Sequence, residues 1–484
     1  MIKAIAGRVN RVSREPLWVA LALVGTLALS LTLGCLLSGI KGLIVALLPV
    51  GLLVVLLCLY NPYPFWLAYF FLIPFSYILA DYLPMESFVR FAGLFLTALS
   101  IPSILASKRS GSFVITPLGA SLILFLTGCV LSLLAFYDLE NSFMGVGLFF
   151  GNVLSYWVFI NILGGEKRVK TVVNIFVVNL VIQCVIALAQ KLTGVAVLRA
   201  TGTLTDPNYF GFWLLPFLCF SFYYGVAAKN KWLKFLYFGA YAVMTLTLPL
   251  TYSRSMLIVL LPTQFILYWR QRKLLLFFAV SIVVVFLLYL GFKDFFSGGL
   301  TLYSFLRGAR AASVDWRGYF ALISLKIFWD HPLVGIGADC FRWVFAYYST
   351  TSAENYNQVI HNTYLEILSG TGLAGFVPFL GALFFSFRNF WRSRKHYEEK
   401  NDRSRMLEME GLFVGFASSL MAHFFLSTQH NITLFLFIAF STIVVNYSIN
   451  TDNNSVIKRI SANGVITSRT RKRKVRSSKK PTQH

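Results

Sequence analysis

Charge is scarce in this chain of 484 residues: 13% are Asp, Glu, Lys or Arg, against about 25% in an ordinary soluble domain. Acidic residues are scarcest, 19 against 43 Lys and Arg. They form no clusters of the kind that hold a divalent metal, so they give no argument for one. The six cysteines, Cys35, Cys58, Cys129, Cys184, Cys219 and Cys340, contain no CxxC pair, which supports neither a disulfide framework nor a zinc site. No internal repeat is visible. Lys3, Arg8, Arg11 and Arg14 precede an apolar run that continues into a second one without a small-residue cleavage site. That predicts a retained signal anchor.

Hydrophobic residues make up 57% of the chain, and uncharged apolar runs recur along it. Each is near the ~20 residues that cross a ~30 Å hydrocarbon layer as a helix. The predicted spans are 17–37, 40–59, 64–80, 88–106, 117–136, 145–163, 171–192, 208–227, 233–251, 255–269, 274–292, 370–387, 407–427 and 431–448. The fold expected is an all-α integral membrane protein with about 12–14 transmembrane helices.

The net charge of +24 invites a nucleic-acid reading, but its distribution favours a membrane one. With a cytoplasmic N-terminus, Lys108–Arg109, Lys167–Lys170, Lys229–Lys234, Arg270–Lys273, Arg388–Arg405 and the C-terminal tail all fall on the same side. The positive-inside rule selects this orientation, and the charge also attracts anionic lipid. The organisation predicted is a cytoplasmic N-terminus at 1–16, a helical bundle at 17–292, a large extracytoplasmic loop at 293–369, further membrane helices at 370–448, and a basic, disordered cytoplasmic tail at 449–484.

The large loop balances acidic and basic residues, unlike a polybasic spacer. Its apolar runs FALISLKIFW and FRWVFAYY suggest short helices lying on or dipping into the membrane surface. Polar features gather on this predicted outer face. In TGTLTDPNYFG, the Asp206–Pro207 step stops a helix, and Asp206 or Asn208 can cap the next one. In TYSRS, Arg254 sits at a hairpin turn where it either snorkels or binds an anion. Arg317 and Arg342 lie in the loop, and their planar guanidinium forks suit phosphate. His361 and Asn362 open HNTYLEILSGTGLAG. A histidine with near-neutral pKa there either serves as a polar helix-entry residue or acts as a base.

HNTYLEILSGTGLAG resembles the O-antigen ligase and O-antigen polymerase superfamily of bacterial surface-polysaccharide enzymes. TGTLTDPNYFG, TYSRSMLIVLL and WRGYFALISLKIFWDHPLVGIG agree with it in order, so the resemblance covers about 201–387. It implies a transferase of the cytoplasmic membrane, with both termini cytoplasmic. A glycan would pass from undecaprenyl diphosphate to a glycan, lipid or wall acceptor, without metal or nucleotide sugar. His361 would be the general base and Arg254 and Arg317 would hold the diphosphate, with Arg342 a third candidate. Asp206, Asn208 and Asn362 would support the site. Other polysaccharide-assembly proteins are conceivable partners. The alternative is a multi-pass polysaccharide transporter or lipid-glycan flippase, a class often built from inverted repeats with ionisable groups at the midplane.

Overall fold

The computed structural model describes residues 52–75, 88–106, 116–135, 137–193, 199–204, 206–273, 275–276, 278–283, 317–349 and 359–448. The N-terminal anchor, the span at 17–37, Lys108–Arg109, much of the large loop and the basic tail lie outside the described residues.

The chain divides into two compact units, one formed by Met1–Tyr69 and Val89–Ser112, the other by the rest. In the first, the Trp66 indole donates to the Ser100 hydroxyl at 3.0 Å. Trp66 also meets Tyr69 edge to face. Its helix at Leu52–Tyr60 bends by 115° into Tyr63–Phe75; the bend falls at Asn61–Pro62, where proline removes a helix donor.

The second unit is a helical bundle. The predicted starts at 117, 208, 233 and 255 fall within two residues of Pro117, Pro207, Lys231 and Arg254, while those at 145 and 171 lie about five residues inside helices that begin at Leu139 and Glu166. Thr116 caps Pro117–Leu131 and Asp138 caps Leu139–Leu163. Asp206, with Pro207 behind it, opens Pro207–Ala227, and Asn230 opens Lys231–Leu250. Each side chain accepts a free N–H of the first turn. The Pro207–Ala227 helix lies at the centre, and nearly all its residues are buried. Among the described residues, six helices are long and apolar enough to cross a membrane, or seven if the bent pair counts as one span. The sequence predicts more. Several predicted spans lie wholly or partly outside the described residues, Arg254–Arg270 has 17 residues, and Phe91–Ala106 and Ile432–Ser448 are shorter apolar helices.

The helix expected from 370 begins at Thr363 and runs to Glu399, broken at Gly372 (φ 56°, ψ −160°). The break leaves two carbonyls and two amides without helical partners, and the turn 331–337 supplies all four. Ile336 and Gly337 donate to the carbonyls of Ser369 and Gly370, at 3.1 and 3.0 Å. Leu373 and Ala374 donate to those of Pro332 and Leu333, at 2.9 and 3.0 Å. HPLVGIG and SGTGLAG, two separate features in the sequence, are thus one backbone junction. A Cβ on Gly335 (φ 70°) would stand 2.5 Å from the Gly370 carbonyl carbon, so the junction requires glycine there.

The apolar runs of the large loop form helices at 317–330 and Phe341–Tyr348. Between them lies a small core of Phe320, Ile323, Ile327, Phe341, Val344, Phe345 and Ile360. This core holds Arg317, on the first described turn, in place over the bundle.

The two ends of the bundle differ chemically. At one end, Glu410 is pinned between Arg270 and Arg394, Lys170 pairs with Glu408, and Tyr397 donates to Glu166. The basic groups among them belong to the predicted cytoplasmic clusters, while Glu408 and Glu410 fall within the predicted span 407–427; these contacts tie four helices together. Helices Pro207–Ala227 and Thr363–Glu399 run from there to the opposite end, where Asp206, Arg317 and His361 act on one another and Arg254 opens the neighbouring helix.

Candidate active site

Residues from four separated stretches meet at this second end. Asp206 accepts the Asn208 amide at 2.6 Å. The Asn208 side-chain oxygen accepts from the Ser253 hydroxyl at 2.7 Å and from Arg199 at 3.2 Å. Arg199 also donates to the Thr251 carbonyl at 2.9 Å. The turn 251–253, in which Tyr252 adopts φ 49°, is thereby fastened to the start of the Pro207 helix, and Arg254 becomes the first residue of its own helix. Ser255, one residue on, accepts from Arg317 at 2.8 Å. The large loop is so joined to the TYSRS turn.

His361 completes the group. Burial lowers its pKa below the ordinary imidazole value, the Arg317 charge lowers it further, and Asp206 pulls the other way. At neutral pH the ring is therefore unprotonated and free to accept a proton. Burial lowers the guanidinium pKa of Arg199 and Arg317 as well, with Asp206 opposing; arginine keeps its charge regardless. Two cations thus act beside one carboxylate and a neutral imidazole, an excess of positive charge that favours an anion.

The backbone of His361 is held in a conformation rare for a side-chain-bearing residue, φ 57°. One buried carboxylate oxygen secures it. Oε1 of Glu366 accepts the Ile360 amide at 2.9 Å and the Ser427 hydroxyl at 2.8 Å. The Ser427 oxygen in turn accepts the His361 amide at 2.9 Å. Tyr209 fixes the Ser427 carbonyl at 3.1 Å. Strain of this kind, held by several bonds, is typical of functional sites.

Asn362 lies next to the site but its oxygen is committed to capping, accepting the Tyr364 and Leu365 amides at 3.0 and 3.1 Å. Arg342 falls elsewhere. Its charge acts on Asp339 and Glu366 and is not among the influences on His361. There Asp339 (φ 61°) accepts from Gln429 at 2.9 Å and lies 3.4 Å from the His430 ring. His430 and Arg342 hold its pKa below the ordinary carboxylate value despite burial. Among the described residues, no three His, Cys, Asp or Glu side chains gather in a metal-binding group.

Arg199, Ser255, Glu366 and Ser427 are absent from the sequence prediction. Arg199 carries the same signal as Arg254, a lone arginine between apolar runs on the predicted outer face. Glu366 stands in the His361 motif. Ser427 has no signal, because only the packing of the 423–431 loop brings it near.

The fold is that of an all-α integral membrane protein with a polar, cation-lined site at one end of its bundle. Residues 239–380 match the family described as O-antigen ligase. The match supports the O-antigen ligase and polymerase superfamily and, with it, glycosyl transfer at a membrane. It takes in Arg254, Arg317, Arg342, His361 and Asn362, and leaves out Arg199, Asp206 and Ser427. No curated protein matches the chain.

Proposed function

We propose that the chain moves a glycan from a polyprenyl diphosphate, of the undecaprenyl type, to an acceptor hydroxyl on the extracytoplasmic face of a bacterial cytoplasmic membrane. The observation that carries this is the meeting of a half-buried, neutral His361 with Arg317 and the Arg254 turn. His361 takes the proton of the acceptor hydroxyl as its oxygen attacks the anomeric carbon of the donor sugar. The bond from that carbon to the diphosphate oxygen breaks, and the diphosphate leaves with the electron pair. Arg317 and Arg254 stabilise the developing charge, which is worth most in a site with little water. Arg199 orients the Asn208–Ser253 contact beneath them. The basic end of the bundle, with Arg270, Arg394 and Lys170, faces the cytoplasm under the positive-inside rule, and on this reading both termini are cytoplasmic. Acceptor and repeat unit stay open between polymerase and ligase. Nothing in the site favours a transporter, since its charges collect at one end of the bundle.

The test is donor binding. Polyprenyl diphosphate without a glycan, added in the presence of a chelator, should protect the protein against thermal unfolding. Arg317→Ala should lose that protection, and should lower kcat/KM by about 10²–10³-fold, the usual cost of removing a group that stabilises transition-state charge. Arg317→Lys should recover only part, because a point charge cannot make two parallel bonds. Equal binding by the parent and by Arg317→Ala would remove the diphosphate from this site.

Glu366 supplies a second expectation. Glutamine keeps a carbonyl oxygen at the same place, so Glu366→Gln should keep kcat within about tenfold, whereas Glu366→Leu should lose about 10²-fold, since misplacement by ~1 Å costs that much. Equal loss in both, with a changed pH profile, would mean that Glu366 itself moves a proton.

A further inference from the structure

The helix at 317–330 has two apolar faces. One carries Phe320, Ile323 and Ile327 into the small core already described. The other carries Leu322, Leu325 and Trp329, which are 67%, 38% and 74% exposed. These three recur at helical spacing, and Leu333, 68% exposed, extends the row past the helix end. A helix standing in water would place polar groups along such a face. The one basic residue within it, Lys326, lies over the Tyr348 ring at 5.6 Å.

The row does not end in open space. The carbonyls of Pro332 and Leu333 accept the amides of Leu373 and Ala374. Leu373 begins a second exposed row, Leu373, Val377, Leu380 and Phe384, along the outward face of a helix long and apolar enough to cross a membrane. The exposed faces of the loop helix and of the spanning helix are thus continuous at a rigid backbone junction. Beside it, the Tyr137 hydroxyl meets the His331 ring at 2.7 Å. Tyrosine and tryptophan with one apolar and one polar side favour the headgroup level of a bilayer.

We propose that the row Leu322, Leu325, Trp329 and Leu333 is a lipid-contact face that lays the 317–330 helix along the membrane surface, its apolar side in the acyl boundary. Interfacial helices sit about 5–10 Å into that boundary. The Gly335–Gly372 junction fixes the helix angle to the bundle, so the depth of this face sets the height of Arg317 above the hydrocarbon. The contact with lipid stands apart from the proposed function. Its consequence, that Arg317 is held at the height of a lipid-borne diphosphate, rests on that reading.

The experiment needs no donor. The full chain with Cys35→Ser receives one cysteine, at Leu322→Cys, Trp329→Cys or, as a flank control, Asp330→Cys. Cys58, Cys129, Cys184, Cys219 and Cys340 are buried and should not label. Each variant is checked by size exclusion, labelled with bimane and reconstituted in phosphatidylcholine–phosphatidylglycerol vesicles; Leu325→Cys replaces either stripe variant that misfolds. Lipids brominated near the headgroup end of the chain should quench the stripe labels about twofold or more beyond the control, as expected for a face in the acyl boundary. Aqueous iodide should show the reverse order. Two results would overturn the proposal. Iodide quenching of the stripe as strong as at the control, without response to brominated lipid, would mean a face in water. Labels shielded from both quenchers would mean a face covered by protein, a second copy or another chain.

Discussion

His361→Ala should abolish turnover, lowering kcat by about 10³-fold or more, at the upper part of the range for a general base. Donor binding should stay nearly unchanged, because the proposed mechanism gives the diphosphate to Arg254 and Arg317 and only the acceptor proton to His361. The pH profile gives a finer reading. Burial and Arg317 both lower the His361 pKa, so the acid limb of kcat/KM should fall below pH about 6.5, the ordinary imidazole value. Above that limb the ring is neutral and competent; below it protonation removes the base. Residual activity of Arg317→Ala should show the limb moved upward, since one of the two lowering influences is gone. A limb that stays in place in Arg317→Ala would show that the two groups do not share a site.

Gly335→Val should be the most damaging single change to folding. Its backbone lies at φ 70°, where a β-branched side chain is strained, and its new Cβ would meet the backbone of Ser369 and Gly370 at 2.5 Å. The turn would have to leave the broken helix, and four buried backbone groups would lose their partners at about 1–3 kcal/mol each. The expected outcome is poor folded yield in detergent, or a melting point lower by about 10 °C or more. Gly147→Ala is the matched control. It lies in the Leu139–Leu163 helix with nothing within 4 Å of the added Cβ. It should be neutral or slightly stabilising, as alanine gains about 0.5–1 kcal/mol over glycine in a helix. Equal stability of the two variants would mean that the junction does not hold the loop.

The helices were largely legible because apolar length and capping residues are local signals. Asp206, Asn230 and Asn362 each cap where a polar residue precedes an apolar run. Thr363 starts its helix before 370 because Asn362 caps it there, while the glycines that suggested a start mark a break within it. The site was legible in part for the same reason. Arg254, Arg317 and His361 stand out as polar residues on an apolar background, and Arg317 bonds beside Arg254 and acts on His361. What the sequence hides is partnership. Ser427, Glu366 and the Ile360 amide lie up to 67 positions apart and meet only through the packing of the Thr363 helix against the 423–431 loop. Arg342 has the same chemistry as Arg317, but its charge acts on Asp339 and Glu366.

The most direct test of the account is transfer by the purified full chain in vesicles. The substrate is a polyprenyl-diphosphate-linked oligosaccharide, with excess chelator present. The account predicts glycan transfer by the parent protein, as a ladder or as a single addition to a supplied acceptor, and none by His361→Ala that still binds the lipid diphosphate. Transfer by His361→Ala at the parent rate, or a parent activity that chelator abolishes, would contradict it.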